Sequence, residues 1–341
     1  MNNTCSIFSR RSPETIHPLV SPYIQIPDNV ETFNFDACVI NEYFILKNIV
    51  GYFYKKFIIY SKFEVDETYL SKFISLVCDN YKDNYFHNFQ HAVNVLQMTY
   101  MLLKETNMLK KLKPIILFAI LISSLSHDVG HPGNTNSYEI NSVSKYAILY
   151  NDISVLENYH SSLTFDLLEK SGLLRSFKHE DFKVIRKTII SCILGTDMSK
   201  HNDHLTKLNT IDFNVEEHSI EEQINIASIF VHYADLSNSI KKFEYSVVWS
   251  ERISLEFYEQ TVKEELEGLP VLSFMKVHDK YSISLNEISF INNISYPMWI
   301  LFVEKFTNMS FILDRVNETL SKWKEIENSC ILENNINIDS Y

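Results

Sequence analysis

The sequence predicts an all-α fold. Three observations carry that prediction. Glycine is scarce, with six residues in a chain of 341, where about 7% is usual; so little glycine builds few of the tight turns that join strands. From about residue 31 onward, apolar residues recur with helical spacing and in runs of helical length. The punctuation also suits helices: Gly268-Leu269-Pro270 closes one charged and bulky stretch, and Pro297 opens another.

The elements follow in order. Pro13, Pro18, Pro22 and Pro27 crowd the start, so residues 1–30 are expected to form an extended arm, at most loosely docked. Residues 31–330 are expected to form one domain of a dozen or more helices, without internal repeats or a convincing sheet. Ile115 to Leu125 is a nearly continuous apolar run, IILFAILISSL. It is too short for a membrane and is expected to be a buried core helix. Ile224 to Tyr233 has the same character. Ser246 to Glu267 alternates charge and bulk with helical period, and a further helix is expected from Pro297 to about Ile326. The polar stretch Asp197 to Glu222 is expected to contain a loop. The Asn-rich tail after Glu327 is expected to fray, leaving 331–341 outside the domain.

The formal net charge is −12, which argues against a nucleic-acid partner, since that needs a basic stripe. The densest basic run, Lys104, Lys110, Lys111 and Lys113, reads as a solvated helix end. The cysteines Cys5, Cys38, Cys78, Cys192 and Cys330 are widely spaced with no CxxC, as in a reducing, cytoplasmic setting. No run of 18 uncharged apolar residues is present, so no membrane span is expected in this segment. The start MNNTCSIFSRR lacks the apolar region of a signal peptide. A longer chain with an upstream regulatory or membrane region is compatible with this, placing the domain in the cytoplasm or at its membrane face. Acidic enzymes with phosphate substrates commonly let metal ions supply positive charge, which directs attention to the histidines and aspartates.

Twelve histidines are present, several of them clustered. His87 and His91 are four apart in NYFHNFQHAVNVLQ, a spacing that puts both rings on one face of a helix. Alone, such a pair is ordinarily a surface feature. His127 and Asp128 follow the apolar helix in SLSHDVGHPGN, with His131 close behind. Burying these groups is unfavourable unless they are paired or bind metal. Asp235, in HYADLSN, ends a second apolar stretch, where an aspartate often serves only as a cap. Together His91, His127, Asp128 and Asp235 make a two-His, two-Asp set suited to a hydrolytic metal site with positions open to water. Imidazole suits zinc; carboxylate and water suit magnesium or manganese.

Six segments, FHNFQHA, SHDVGHPGNTN, YNDISVLENYH, GTDMSKH, YADLSN and FINNISYPMW, occur here in an order and spacing that resemble the class I cyclic nucleotide phosphodiesterase catalytic domain across about residues 65 to 310. The resemblance implies a compact all-helical fold with its pocket at a junction of helical subdomains, and a small cyclic nucleotide as substrate. It implies that His91, His127, Asp128 and Asp235 bind Zn2+. It implies that Asp128 bridges to Mg2+ (or Mn2+), and that His131, Glu157, His160 and Thr196 hold that ion's waters. On their own residues, Glu157 reads as an ion-pair partner and His160 as a satisfied core histidine. A hydroxide bridging two cations is available near neutral pH. It would attack phosphorus in line with the departing O3', while the resemblance makes His87 the general acid that protonates the leaving group.

The base pocket departs from the family's pattern. Phe290 and Ile253 match its apolar clamp, and Asn238 matches a pocket residue found in both cAMP- and cGMP-preferring members. The glutamine that ordinarily faces the base is here Glu287. An amide donates and accepts, whereas an ionised carboxylate only accepts. An apolar clamp is expected to raise the Glu287 pKa so that the side chain stays neutral and donates. A Michaelis constant flat from about pH 6 to 8.5 would count against this. Phe86 and Tyr159 are milder departures. Phe86 and the stretch EGLPVLSFM, Glu267 to Met275, resemble the cGMP-selective branch. Two other readings stand beside this one. Another HD-type metal phosphohydrolase would share the His-Asp chemistry but not FHNFQHA or FINNISYPMW. A catalytically weak or dead nucleotide-binding or scaffold module is suggested by Glu287 alone.

Overall fold

Apolar periodicity becomes helix along most of the chain in a computed structural model that describes residues 24–61, 65–277 and 279–334. The helices are α1 (Tyr43–Ser61), α2 (Glu67–Asn80), α3 (Phe89–Glu105), α4 (Met108–Lys111), α5 (Pro114–Ser126), α6 (Asn136–Asn141), α7 (Lys145–Tyr150) and α8 (Val155–Ser171). They continue with α9 (His179–Leu194), α10 (His201–Thr210), α11 (Ile220–Asp235), α12 (Phe243–Glu267), α13 (Lys280–Phe290), α14 (Tyr296–Lys305) and α15 (Phe311–Asn334). There is no strand among the described residues, as the scarcity of glycine predicts.

Three helices form the centre. In α5 every residue from Ile115 to Ser126 is buried. Ser123 and Ser124 survive there because each hydroxyl donates to the carbonyl four residues earlier, Ala119 and Ile120, at 2.7 Å. Pro114 stands at the start, where no N–H is needed. α3 is buried from Phe89 to Leu103 and α11 at most positions from Gln223 to Ala234. A capping box between Ser219 and Glu222 starts α11. α5 packs on α1, α3, α9 and α11, so the predicted core helix is the hub of the domain.

Several expectations are corrected. His87 and His91 do not share a helix: Asn88 caps α3, its side chain accepting from His91 N–H at 3.1 Å, and His87 lies before the cap. The helix expected from Pro297 to Ile326 is two. Phe306 leaves helical geometry (φ −129°, ψ 74°), and its buried ring packs 4.7 Å from Phe213 and 4.9 Å from Phe302. Burial of this ring bends the chain where neither glycine nor proline marks a break. α15 then runs on to Asn334, into the tail expected to fray; 335–341 lie outside the described residues. Residues 1–23 of the expected arm also lie outside them. Its end is docked, with Val30 3% exposed and Gln97 Nε2 donating to the Val30 carbonyl at 3.0 Å.

Candidate active site

Each central helix delivers chemistry at one end. α3 carries His91 in its first turn, His127 and Asp128 follow the last turn of α5, and Asp235 ends α11. His91 Nε2 lies 3.1 Å from His127 Nε2, 3.0 Å from Asp235 Oδ1 and 3.5 Å from Asp128 Oδ2. His127 Nε2 lies 3.0 Å from Asp128 Oδ2 and 3.3 Å from Asp235 Oδ1. Ligand atoms around one tetrahedral ion, at bonds of about 2.0–2.1 Å, would stand roughly 3.3 Å apart. The donor set therefore fits a cation. His127 Nδ1–H donates to the Ser124 carbonyl at 3.0 Å, which turns the Nε2 lone pair toward the cluster. A proton is the alternative occupant. Burial opposes it, but the carboxylates of Asp128 and Asp235 outweigh burial and carry the His127 pKa well above its ordinary value.

A second group shares Asp128. Ligand atoms of Asp128, His131 and His160 also lie close enough to hold an ion. His160 Nδ1–H donates to the Val129 carbonyl at 2.9 Å. Its Nε2 is buried without a hydrogen-bond partner, 3.8 Å from Asp128 Oδ1, an orphaned lone pair suited to an ion or its water. Gly130 makes the turn between them. Its φ is +80°, and a Cβ there would meet Leu163 Cδ2 at 2.7 Å and Tyr159 Oη at 2.9 Å. Glu157, at the start of α8, accepts from Asn136 Nδ2 at 2.9 Å. Burial and the neighbouring carboxylates of Asp197 and Asp128 push its pKa up to about 7 despite that bond. Thr196 is buried, and its hydroxyl donates to the Ile193 carbonyl at 2.8 Å.

His87 stands beside both groups. Its ring stacks on His131 at 3.9 Å and lies 6.0 Å from that of His91. Its partner was missed in the sequence: Glu256 of α12 accepts from His87 Nδ1–H. The other oxygen of Glu256 accepts from the backbone N–H groups of Phe86 at 2.8 Å and His87 at 3.1 Å. Burial lowers the His87 pKa, but Glu256 outweighs it and raises it to about 9. Burial raises and His87 more than offsets the pKa of Glu256, which falls to about 2. These opposite shifts favour an ion pair with the proton on His87. Asn84, also missed, donates to the carbonyls of His87 at 3.0 Å and His131 at 2.9 Å. A signal for Glu256 existed. Trp249, Ile253, Glu256, Gln260 and Glu264 share one stripe of α12, and charge on an otherwise buried stripe calls for a partner.

The residues expected to form the base pocket sit on neighbouring elements: Ile253 on α12, Glu287 and Phe290 on α13, and Asn238 in the turn Ser237–Ile240 after Asp235. α12 packs on α13. Ile253 also packs on the cluster of Cys38, Phe86 and Trp249, and Phe86 lies 4.7 Å from His91, which sets this wall beside the cation cradle. Burial pushes the Glu287 pKa up to about 7, and a hydrogen bond with Ser250 only partly offsets it.

A group of side chains that could hold a cation, a second sharing its carboxylate, and a histidine paired with a glutamate suit the class of metal-dependent hydrolases. Comparison with known proteins narrows the class. The family described as 3'5'-cyclic nucleotide phosphodiesterase matches residues 86–316. The high affinity cGMP-specific 3',5'-cyclic phosphodiesterase 9A of Drosophila melanogaster is 36% identical over 70% of this chain and 16% of its own length. The high affinity cAMP-specific and IBMX-insensitive phosphodiesterase 8A of Homo sapiens is 32% identical over 76% of this chain and 34% of its own. The phosphodiesterase domain of the RhoPDE fusion protein from the choanoflagellate Salpingoeca rosetta superimposes with a TM-score of 0.85 and 35% identity, covering 89% of this chain and 98% of that one. This chain belongs to the 3',5'-cyclic nucleotide phosphodiesterase family. It spans well under two thirds of the length of these two curated relatives.

Proposed function

We propose that this chain hydrolyses a 3',5'-cyclic nucleotide, cGMP in preference to cAMP, to the 5'-monophosphate. The observation that carries the reading is the His87–Glu256 pair set against a two-His, two-Asp cradle. His91, His127, Asp128 and Asp235 would hold Zn2+. Asp128 would share a second ion, Mg2+ or Mn2+, with the outer residues His131, Glu157, His160 and Thr196 holding its waters. When bound, such ions would supply a water of lowered pKa and offset charge on the phosphoryl oxygens. His87, charged below about pH 9, delivers the proton that the departing O3' needs, and Glu256 fixes its ring and tautomer. The same residues support hydrolysis over the reading as an inactive binding module, since no ligand position and no acid is lost.

Base choice rests on Glu287, Phe290, Ile253 and Asn238. A neutral Glu287 both donates and accepts, as an amide does, and its raised pKa supports that role. The cGMP preference rests on Phe86 and the stretch Glu267 to Met275, whose likeness is to the cGMP-selective branch, while the named relatives include both specificities. Cys38 and Cys192 are thiols rather than disulfides, which supports a cytoplasmic setting or the cytoplasmic face of a membrane. Among the described residues no helix is long and apolar enough to cross a membrane.

The test is hydrolysis of cGMP and cAMP side by side, with magnesium or manganese, and with His87→Ala as control. Turnover of cGMP at the lower concentration, with the variant nearly inactive, is the expected result. Faster use of cAMP would overturn the base preference alone. Metal binding without turnover of either would overturn the hydrolytic reading.

A further inference from the structure

The strap that precedes α1 lies outside residues 86–316, yet it reaches the wall of the site. Asp36, 2% exposed, receives three donors on Oδ1: Cys38 N–H at 2.8 Å, Asn94 Nδ2 at 3.0 Å and Trp249 Nε1 at 3.0 Å. Its other oxygen faces Lys241 Nζ at 3.6 Å, a lysine that also donates to the Phe35 carbonyl at 2.8 Å. A buried carboxylate that gathers three donors on one oxygen, with only the charge of Lys241 and no hydrogen bond on the other, is a junction, and its partners come from different walls. Asn94 lies one turn beyond His91 on α3. Trp249 lies on α12, one turn before Ile253 and two before Glu256. The 3-10 turn Ala37–Val39, capped by Asp36, packs on both α3 and α12.

The indole that Asp36 holds is fully buried and faces the site. Its ring lies 5.4 Å from Phe86 and 6.0 Å from His91, and Arg252 stacks on it at 4.8 Å. Arg252 in turn donates to Gln90 Oε1 at 2.8 Å, and Gln90 Nε2 donates to the strap at the Ile40 carbonyl, 2.7 Å away. The circuit closes strap to α3, α3 to α12, and α12 back to strap. α3 carries the cradle ligand His91. α12 carries Glu256, which aims the acid, and Ile253, which walls the base.

We infer that Asp36 is a positioning residue for the hydrolysis proposed above: it sets α12 against α3 through Trp249 and Asn94, and so sets the acid and the bound base against the cation cradle. The inference rests on that reading of the site. It separates two kinetic quantities. Ile253, Glu287 and Phe290 belong to α12 and α13, and Asn238 to the turn Ser237–Ile240; both α13 and that turn pack on α12, so loosening the junction leaves the base's own pocket intact. What changes is the distance from that pocket and from Glu256 to the cradle. Turnover should therefore fall while KM stays nearly constant, because small misplacement acts on the reacting geometry rather than on the grip.

The experiment measures kcat, KM for cGMP and cAMP, bound metal per chain and the urea midpoint for Asp36→Asn, Trp249→Phe and Glu31→Ala. Asp36→Asn removes the charge; Trp249→Phe keeps a ring and removes the N–H, and serves if the first variant does not fold. Glu31 is the control. It lies on the same strap, but its bonds run to Lys56, Tyr52 and Lys104 on α1 and the far end of α3. The expected result is a kcat lowered about 10-fold in either junction variant, with KM within about twofold and metal content unchanged. Glu31→Ala should lower the urea midpoint and leave kcat as in the parent. Unchanged kcat in a folded junction variant, or an equal loss of kcat in Glu31→Ala, would overturn the inference while parental turnover leaves the hydrolytic reading standing. A parent chain that turns over neither nucleotide overturns the hydrolytic reading and this inference with it.

Discussion

His127, beside Asp128, and the histidines around His232 are equally buried, yet they treat protons in opposite ways; His131 and His160, also near Asp128, behave like the second group, burial lowering both. At the cradle, burial lowers the His127 pKa and two carboxylates more than reverse it, so the ring attracts positive charge. In the second cluster, His201 Nδ1 meets His232 Nε2 at 3.0 Å, His204 stacks on His232 at 4.6 Å, and His204 Nε2–H donates to the Gly195 carbonyl at 2.8 Å. There burial dominates: it lowers His204 to about 4 and His232 to about 3. Clustered imidazoles make a cation site only when carboxylates stand among them. Where burial outweighs the pull of the nearest carboxylates, Asp235 on His232 and Asp203 on His204, the rings are neutral packing groups joined by hydrogen bonds.

The sharpest way to break this contrast is Asp128→Ala, which removes the carboxylate that both cation groups share. Bound metal should fall, and turnover should drop by roughly 10⁴-fold or more, as expected when several kcal/mol of charge stabilisation is lost. Metal analysis beside single-substrate kinetics reads both; full metal content in the variant would show that the cradle does not hold the ions. Next in size is His87→Ala, which should keep its metal and lose about 10²–10⁴-fold in kcat. In the parent, kcat should fall as pH rises through about 9, since the acid is charged only below that value. Glu256→Gln should move this alkaline limb to lower pH, because the carboxylate that holds the proton on His87 is gone.

The second cluster should respond in stability rather than in chemistry. His204→Leu leaves the Gly195 carbonyl without its donor and should cost about 1–3 kcal/mol of unfolding free energy at pH 7.5, with metal content and kcat retained. The sign with pH is fixed by the lowered pKa. Neutral His204 contributes stability that is present above its ordinary value of 6.5 and is lost as pH falls toward about 4. Urea midpoints at pH 7.5 and 5 should therefore converge between parent and variant. A variant that lost metal instead would join the two clusters into one functional unit. The smallest effect belongs to Glu287. Its carboxyl is neutral below about 7 and ionised above, so KM should rise roughly a few-fold between about pH 6 and 8.5, the ionised form losing its donor but keeping its acceptors. Glu287→Gln should flatten that rise; a flat parent would remove the neutral-acid reading.

Much of this contrast was written in the chain. The helix ending at Ser126 and the one ending at Asp235 were legible from apolar spacing, and each places its aspartate where a buried helix stops. The second cluster was not distinguished from the first, because His201, His204 and His232 carry the same residue chemistry, and only their neighbours in space tell them apart. The helix break at Phe306 was likewise invisible. It answers to Phe213 and Phe302 rather than to a local breaker.

By itself the sequence determined the helical class and singled out His91, His127, Asp128 and Asp235 as one set, because periodicity and end signals act over a few residues. The tertiary structure alone decided that Glu256 holds His87, 169 positions away, and that Asp36 meets Trp249, 213 positions away. Such partners leave only a buried charge as their local trace. A charge says that it must be paired, while the packing of helices distant in sequence decides with what.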